Sequence, residues 1–192
     1  MLKRTAPILV LLTLALPALA QVKLSEIGPV TERPKPAAEQ DGIAIYFSPD
    51  GGAADAVVYQ VGRAKNKLDI AAYSITHVRI AKAVIDAHRR GVTVRVVMDT
   101  AQAAGRYSSA TTLFNAGISV RIDTASGLMH HKIAIIDGQT ILTGSFNWTK
   151  GGDESNAENL VVMEGKRELV SAYQTEFDRV VEKSKPYERP NP

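Results

Sequence analysis

From residue 43 onward, short apolar runs alternate with segments whose apolar residues recur every three or four positions. Ile43–Ser48 reads as a short strand, and Val57, Val58 and Val61 lie at helical spacing within Asp55–Lys65. Lys67–Tyr73 reads as a second strand. Thr76–Arg90 places Ile80, Ala83, Val84 and Ala87 on one helical face and stops at Gly91, a residue suited to the position just past a helix. Val92–Met98 is a Val-rich strand closed by Asp99, Ser109–Asn115 a short helix ended by Gly117, and Ile118–Ile122 alternates like a strand. His130–Ile136, Thr140–Asn147 and Asn159–Met163 are three further strands. The last helix, about Arg167–Glu182, carries Leu169, Val170, Tyr173, Phe177, Val180 and Val181 as its apolar stripe. An early β-α-β-α-β order followed by a late hairpin implies an α/β fold: a mixed, mostly parallel β-sheet with helices on both faces.

The ends of the chain break this pattern. Residues 1–20 begin with Lys3 and Arg4, continue through an apolar run from Ala6 to Leu16, and close on Ala18-Leu19-Ala20, the layout of a secretory signal peptide. The run is shorter than the ~20 residues a spanning helix needs, so cleavage and a periplasmic or secreted location are expected, with no permanent membrane anchor. Pro29, Pro34 and Pro36 mark residues 21–42 as an extended linker, and residues 184–192 read as a similar tail. A single domain over 43–183 remains. The absence of cysteine excludes disulfides, thiolate metal sites and a Cys nucleophile.

Asp137-Gly138 between two apolar runs is a strong signal for a two-residue type I′ hairpin turn. That turn sets a register in which Ile136 faces Gln139, Ala134 faces Ile141, Lys132 faces Thr143 and His130 faces Ser145. Opposed residues share a face. His130, Lys132, Thr143, Ser145 and Asn147 are then expected together on one side, with Ile133, Ile135, Leu142 and Phe146 in the core. An imidazole, an ammonium, a hydroxyl and a carboxamide on one face suit a phosphoryl group. Lys132, Ser145 and Asn147 can donate to its non-bridging oxygens, and His130 can act as nucleophile or as acid and base near neutral pH. No carboxylate cluster accompanies them, so no metal or other cofactor is expected. Asp137, of opposite parity and in the turn, is assigned to turn structure or to ordering the site from behind. His131 points away from His130.

His130-x-Lys132-x4-Asp137-x6-Gly144-Ser145-x-Asn147 resembles the HxKx4D…GSxN signature of the phospholipase D superfamily. With a single copy of the motif, the chain is similar to the bacterial endonuclease branch of Nuc type, over residues 43–182. The resemblance implies a catalytic set of His130, Lys132, Ser145, Asn147 and the signature's Asp137, with Glu158 as a carboxylate that orients the histidine. It also implies phosphodiester hydrolysis through a covalent phosphohistidine. That chemistry needs one neutral imidazole to attack and a protonated group to release the leaving oxygen. One motif supplies only His130, so a C2 homodimer with a shared site is expected, as in the family.

Net charge is +3 for the whole chain, but residues 60–106 concentrate Arg63, Lys65, Lys67, Arg79, Lys82, Arg89, Arg90, Arg95 and Arg106 against Asp69, Asp86 and Asp99. Such a block either tracks a polyanion or is ordinary helix-surface charge. Trp148 is open between a packed anchor and a surface that stacks on a base or enters lipid. Aromatic residues are only 6% of the chain and Gly151–Ala157 is polar. Both favour a nucleic acid substrate, making a metal-independent endonuclease the expected function and a phospholipase D acting on phospholipids the alternative.

Overall fold

The computed structural model describes residues 27–189; the leader of residues 1–20 lies outside them. The strands are β1 (Ala38–Gln40), β2 (Ile43–Ser48), β3 (Lys67–Ala72), β4 (Thr93–Asp99), β5 (Ser119–Asp123), β6 (Lys132–Ile136), β7 (Thr140–Gly144), β8 (Glu158–Glu164) and β9 (Ser184–Pro186). The helices are α1 (Ala53–Gly62), α2 (Val78–Arg89), α3 (Thr100–Ala103), α4 (Ala110–Asn115), α5 (Lys150–Glu154) and α6 (Arg167–Lys183). All strands join one sheet in the order β1-β2-β8-β7-β6-β3-β4-β5-β9. One face packs on α1, α2 and α4 through Val57, Val61, Ile80, Val84 and Leu113; the other packs on α6 through Val170, Phe177 and Val180.

The sheet is mixed, with helices on both faces, as the pattern implied. Parallel pairing does not predominate, however: it is confined to β3–β4 and β4–β5, and the other neighbours run antiparallel. The alternation of elements counted the crossovers but not the insertion of β6, β7 and β8 between β2 and β3. The presumed linker and tail are extended, yet each adds an edge strand. β1 pairs with β2, β9 pairs with β5, and Tyr187 just beyond β9 is buried with its hydroxyl on Thr111.

The hairpin turn is the expected one, but the register is not. Asp137 and Gly138 both have positive φ (52° and 64°), and Gln139 N donates to Ile136 O at 3.0 Å. The ladder then resumes at Ile136↔Thr140, so Ile135 faces Ile141 and Ala134 faces Leu142. Gln139 is an extra residue whose carbonyl accepts from Gly165 N (3.0 Å) instead of closing the β6–β7 ladder. A one-residue slip moves every β7 side chain to the opposite face. Ile141 joins Ile133 and Ile135 under α6, and Leu142 and Phe146 join Ala134 and Ile136 on the α1/α2 side. Every residue of β6 is buried, so both faces are apolar and polarity could not have revealed the slip.

Strand direction defines two edges. β2, β3, β4, β5 and β7 end at one edge, where β6 and β8 begin. The 137–139 turn lies at the other.

Candidate active site

His130, Lys132, Ser145, Asn147 and Glu158 all stand at the edge where β6 and β8 start and β7 stops. Extending the β6–β7 register puts Lys132 level with Gly144 and His130 level with Phe146, not with Ser145. The polar residues therefore do not share one face, as expected from the tighter turn. They lie instead at the end of the sheet where these strands terminate, on positions of both parities.

His130 is exposed, two residues before β6. Its ring meets the Tyr73 ring edge-on at 4.6 Å. Lys132 is 8% exposed; its Nζ donates to His130 O at 2.9 Å and lies 5.0 Å from the centre of the Tyr73 ring. Tyr73 is held in turn, with its N donating to His131 O (2.7 Å) and its hydroxyl accepting from Gln102 Nε2 (3.1 Å). Burial lowers the Lys132 pKa below the ordinary lysine value, and the negative charge of Glu158 partly opposes this.

Beyond β7, Phe146 and Trp148 are buried at 0% and 1% exposure. Trp148 is thus a packed anchor and is unavailable for stacking or for entering lipid; its carbonyl also accepts from Thr76 and His77 N (both 3.0 Å). Burying these two turns Ser145 and Asn147 the other way. Ser145 Oγ accepts from Asn159 N (3.0 Å) and Asn159 Nδ2 (3.3 Å). Gly144 permits this approach: its φ is +149°, and a Cβ there would sit 2.2 Å from Asn159 O. Asn147 Oδ1 is buried with no hydrogen-bond partner among the described residues, which leaves this carboxamide with unused bonding capacity.

Glu158 accepts from Asn156 Nδ2 (3.1 Å) and bears electrostatically on Lys132. Among the described residues its recorded bond is to Asn156 and not to His130. Asp137 lies at the far edge of the sheet. Its carboxylate accepts the backbone N–H groups of Lys65 (2.9 Å), Asn66 (2.8 Å) and Lys67 (2.9 Å). Burial works to raise its pKa, but these bonds prevail and the carboxyl stays below its usual value. Asp137 is the clasp between the hairpin and the start of β3, as its parity indicated, and it is remote from His130. His131 turns away and shares a hydrogen bond with Glu176 (2.9 Å).

Tyr73 and Asn159 belong to this cluster without having been singled out. The signal for Tyr73 was its place at the end of a central strand, because strands of one direction deliver their last residues to one edge. The basic block resolves mostly as structural charge. Arg63, Lys67, Arg79, Lys82, Arg89 and Arg95 each have a carboxylate partner, and Arg90 donates to Gly62 O (3.0 Å).

The family model for the "Cardiolipin synthase, PLD-like domain" matches residues 57–181. The chain belongs to the phospholipase D superfamily. Among curated relatives, a mitochondrial cardiolipin hydrolase of Xenopus tropicalis is 42% identical over 118 residues, covering 62% of this chain and 56% of the relative. A phospholipase D of Rickettsia prowazekii is 34% identical, with 73% and 68% covered. Among solved structures, Nuc from Salmonella typhimurium, a phospholipase D family member, superposes with a TM-score of 0.73 at 33% identity, covering 77% of this chain and 98% of Nuc. The chain spans only 53–61% of the cardiolipin hydrolases it matches. Within the superfamily it falls in the Nuc-type branch, whose whole domain it reproduces.

Proposed function

We propose that this protein is an exported phosphodiesterase that cleaves nucleic acid without a metal, as a dimer, through a phosphohistidine at His130. The observation that supports this reading is the placement of His130, Lys132, Ser145 and Asn147 at one end of the sheet, in a domain that spans almost all of Nuc. In this mechanism Lys132, Ser145 and Asn147 donate to the non-bridging oxygens. One His130 attacks phosphorus; the His130 of a second copy protonates the leaving oxygen, and water then releases the phosphate. Glu158 sustains the charge on Lys132.

Dimerisation is supported by an open apolar face. On the α6 side of the sheet, Ile43, Ile45, Val161 and Met163 are only half-buried and Phe47 is 49% exposed. Phe47 is in register with Asn159, and Asn159 bonds Ser145. The uncovered face therefore runs up to the site, where a second copy would both cover it and add its His130. Export rests on the leader of residues 1–20.

A phospholipid substrate is the second reading, favoured by the name of the 42%-identical relative. Plasmid nicking and hydrolysis of cardiolipin vesicles, run side by side in EDTA with a His130→Ala control, separate the two. Turnover of DNA alone supports the first reading, turnover of vesicles alone supports the second, and equal inertness of wild type and variant on both refutes catalysis.

The lowered Lys132 pKa has a kinetic consequence. Its ammonium is the form that donates, so kcat/KM is expected to fall as pH rises through a value below the ordinary lysine pKa of about 10.4. Because a guanidinium stays charged, Lys132→Arg is expected to remove that alkaline limb while lowering the plateau. A limb unmoved by Lys132→Arg would assign it to another group.

A further inference from the structure

Two loops rise beside the site from the ends of β4 and β5, and both are pinned at their bases. The buried carboxylate of Asp99 accepts from Ala101 N (3.0 Å) and Gln102 N (3.2 Å) at the start of α3, and from Met129 N (3.2 Å) in the loop that leads to His130. The α3–α4 loop, residues 104–109, is tied again on either side. Gln102 Nε2 donates to the Tyr73 hydroxyl before it, and Ser109 N donates to Ile75 O (2.9 Å) after it. Tyr73 is the residue against His130. The tip of this loop thus stands a few residues from both supports of the catalytic edge.

At that tip Tyr107 is 76% exposed, the most exposed of the large hydrophobic side chains among the described residues. The Arg106 guanidinium lies 5.7 Å from its ring centre and has no carboxylate partner among the described residues, unlike most of the basic block. The rest of the loop (Ala104, Gly105, Ser108, Ser109) is small or polar. A free aromatic face next to an unpaired cation, at a fixed place beside a phosphodiester site, matches a base and its neighbouring phosphate. Stacking on an aromatic side chain accepts any base, because every base has a π-face. Insertion into lipid would call for a broader apolar tip; within residues 104–109 Tyr107 is the one large apolar side chain, and the exposed Phe47, Val78 and Leu128 lie on separate segments.

We propose that Tyr107 and Arg106 form a nucleotide subsite beside the catalytic edge, with Tyr107 stacking on an unpaired base and Arg106 holding the adjacent phosphate. The proposal rests on the nucleic acid reading and names the strand it takes: one with bases splayed out, as in single-stranded or frayed substrate. The subsite secures the strand while the scissile phosphate meets His130.

The test is binding by the full chain carrying His130→Ala, with a fluorescent oligothymidylate and an abasic strand of the same length as probes. Adding Tyr107→Ala is expected to reduce the preference for the base-bearing strand about tenfold, and Tyr107→Phe to retain it. Arg106→Ala is expected to weaken both strands alike and to lower the salt slope by about one. If Tyr107→Ala leaves the strand preference intact, or if its effect appears instead on binding to anionic phospholipid vesicles, the proposal is overturned. Absence of DNA cleavage by the wild-type chain would refute the nuclease function, whereas the strand preference judges the subsite, so the two failures are distinct.

Discussion

His130→Ala is expected to lower phosphodiester turnover on the order of 10⁴-fold or more, because in the proposed mechanism it removes both the attacking nitrogen and its counterpart in a second copy. The side chain is exposed and, among the described residues, meets the Tyr73 ring at 4.6 Å. Thermal stability should therefore change little, as for other surface substitutions, within about 0.5 kcal/mol. Loss of activity with retained melting temperature separates a chemical role from a folding one.

The same variant tests the shared site. Wild-type and His130→Ala chains co-expressed in equal amounts assort into dimers. If each dimer needs both imidazoles, activity per total protein should be about a quarter of wild type, the fraction of fully wild-type dimers. If each chain works alone, half the activity remains. A result near one half, or a wild-type protein that sediments as an active monomer, would sink the two-histidine mechanism.

The largest stability effect is expected at Asp69, which is not part of the signature. Asp69 lies on the central strand β3 and is 0% exposed. Its carboxylate accepts from Arg95 Nε (2.7 Å) and Nη2 (2.6 Å), from Gln174 Nε2 (2.9 Å) and from Lys67 Nζ (2.9 Å). The cluster fastens α6 across β3 and β4, and Arg95 lies over the Phe177 ring at 4.8 Å. Asp69→Ala leaves a half-buried guanidinium without its main partner. Breaking a buried pair in this way costs about 3 kcal/mol or more, which at this chain length lowers the melting temperature by roughly 6–12 °C. Calorimetry of the variant provides the check, and a change under about 2 °C would contradict it.

Asp69 also predicts a pH dependence. Burial acts to raise its pKa, but Arg95, Lys67 and Gln174 outweigh this and the folded value is lowered. A carboxyl with a lowered folded pKa adds stability that is present above its unfolded value, near 3.9, and lost as pH falls through the folded one. Glu176, brought down to about 2 chiefly by Arg179 and also by His131, acts in the same window. Stability should therefore decline below about pH 4, and Asp69→Asn should flatten that decline without abolishing it.

Much of the fold was readable because the physics involved is local. Helical spacing in Thr76–Arg90 and Arg167–Glu182 identified α2 and α6 to within two residues, and the Val-rich run before Asp99 identified β4. The Asp137-Gly138 turn was equally local, and both residues have the positive φ that its type requires. What failed was the count of residues after the turn. Gln139 leaves the β6–β7 ladder because Gly165, from the far end of β8, takes its carbonyl. No pattern within the hairpin records a partner 26 residues away.

Charge was misleading for the same reason. The basic excess in residues 60–106 suggested a track for a polyanion. Its partners Glu164 and Asp178 lie outside that block, and Asp69, counted as a minor offset within it, is the buried hub for Arg95 and Lys67. Arg106, by contrast, could not be told from its neighbours by sequence, and it is the fold that leaves it without a carboxylate partner among the described residues.

The sequence by itself determined the chemistry of this protein: the residue types of the phospholipase D signature, their spacing around a turn, and elements sufficient for a mixed sheet between helices. Those features follow from side-chain identity and from contacts between near neighbours. The tertiary structure alone decided which edge of the sheet holds the site, that His130 and Lys132 lean on Tyr73, that Ser145 is held by Asn159, and that Asp137 works at the opposite end. These depend on strand order and register, which are set by contacts between residues distant along the chain.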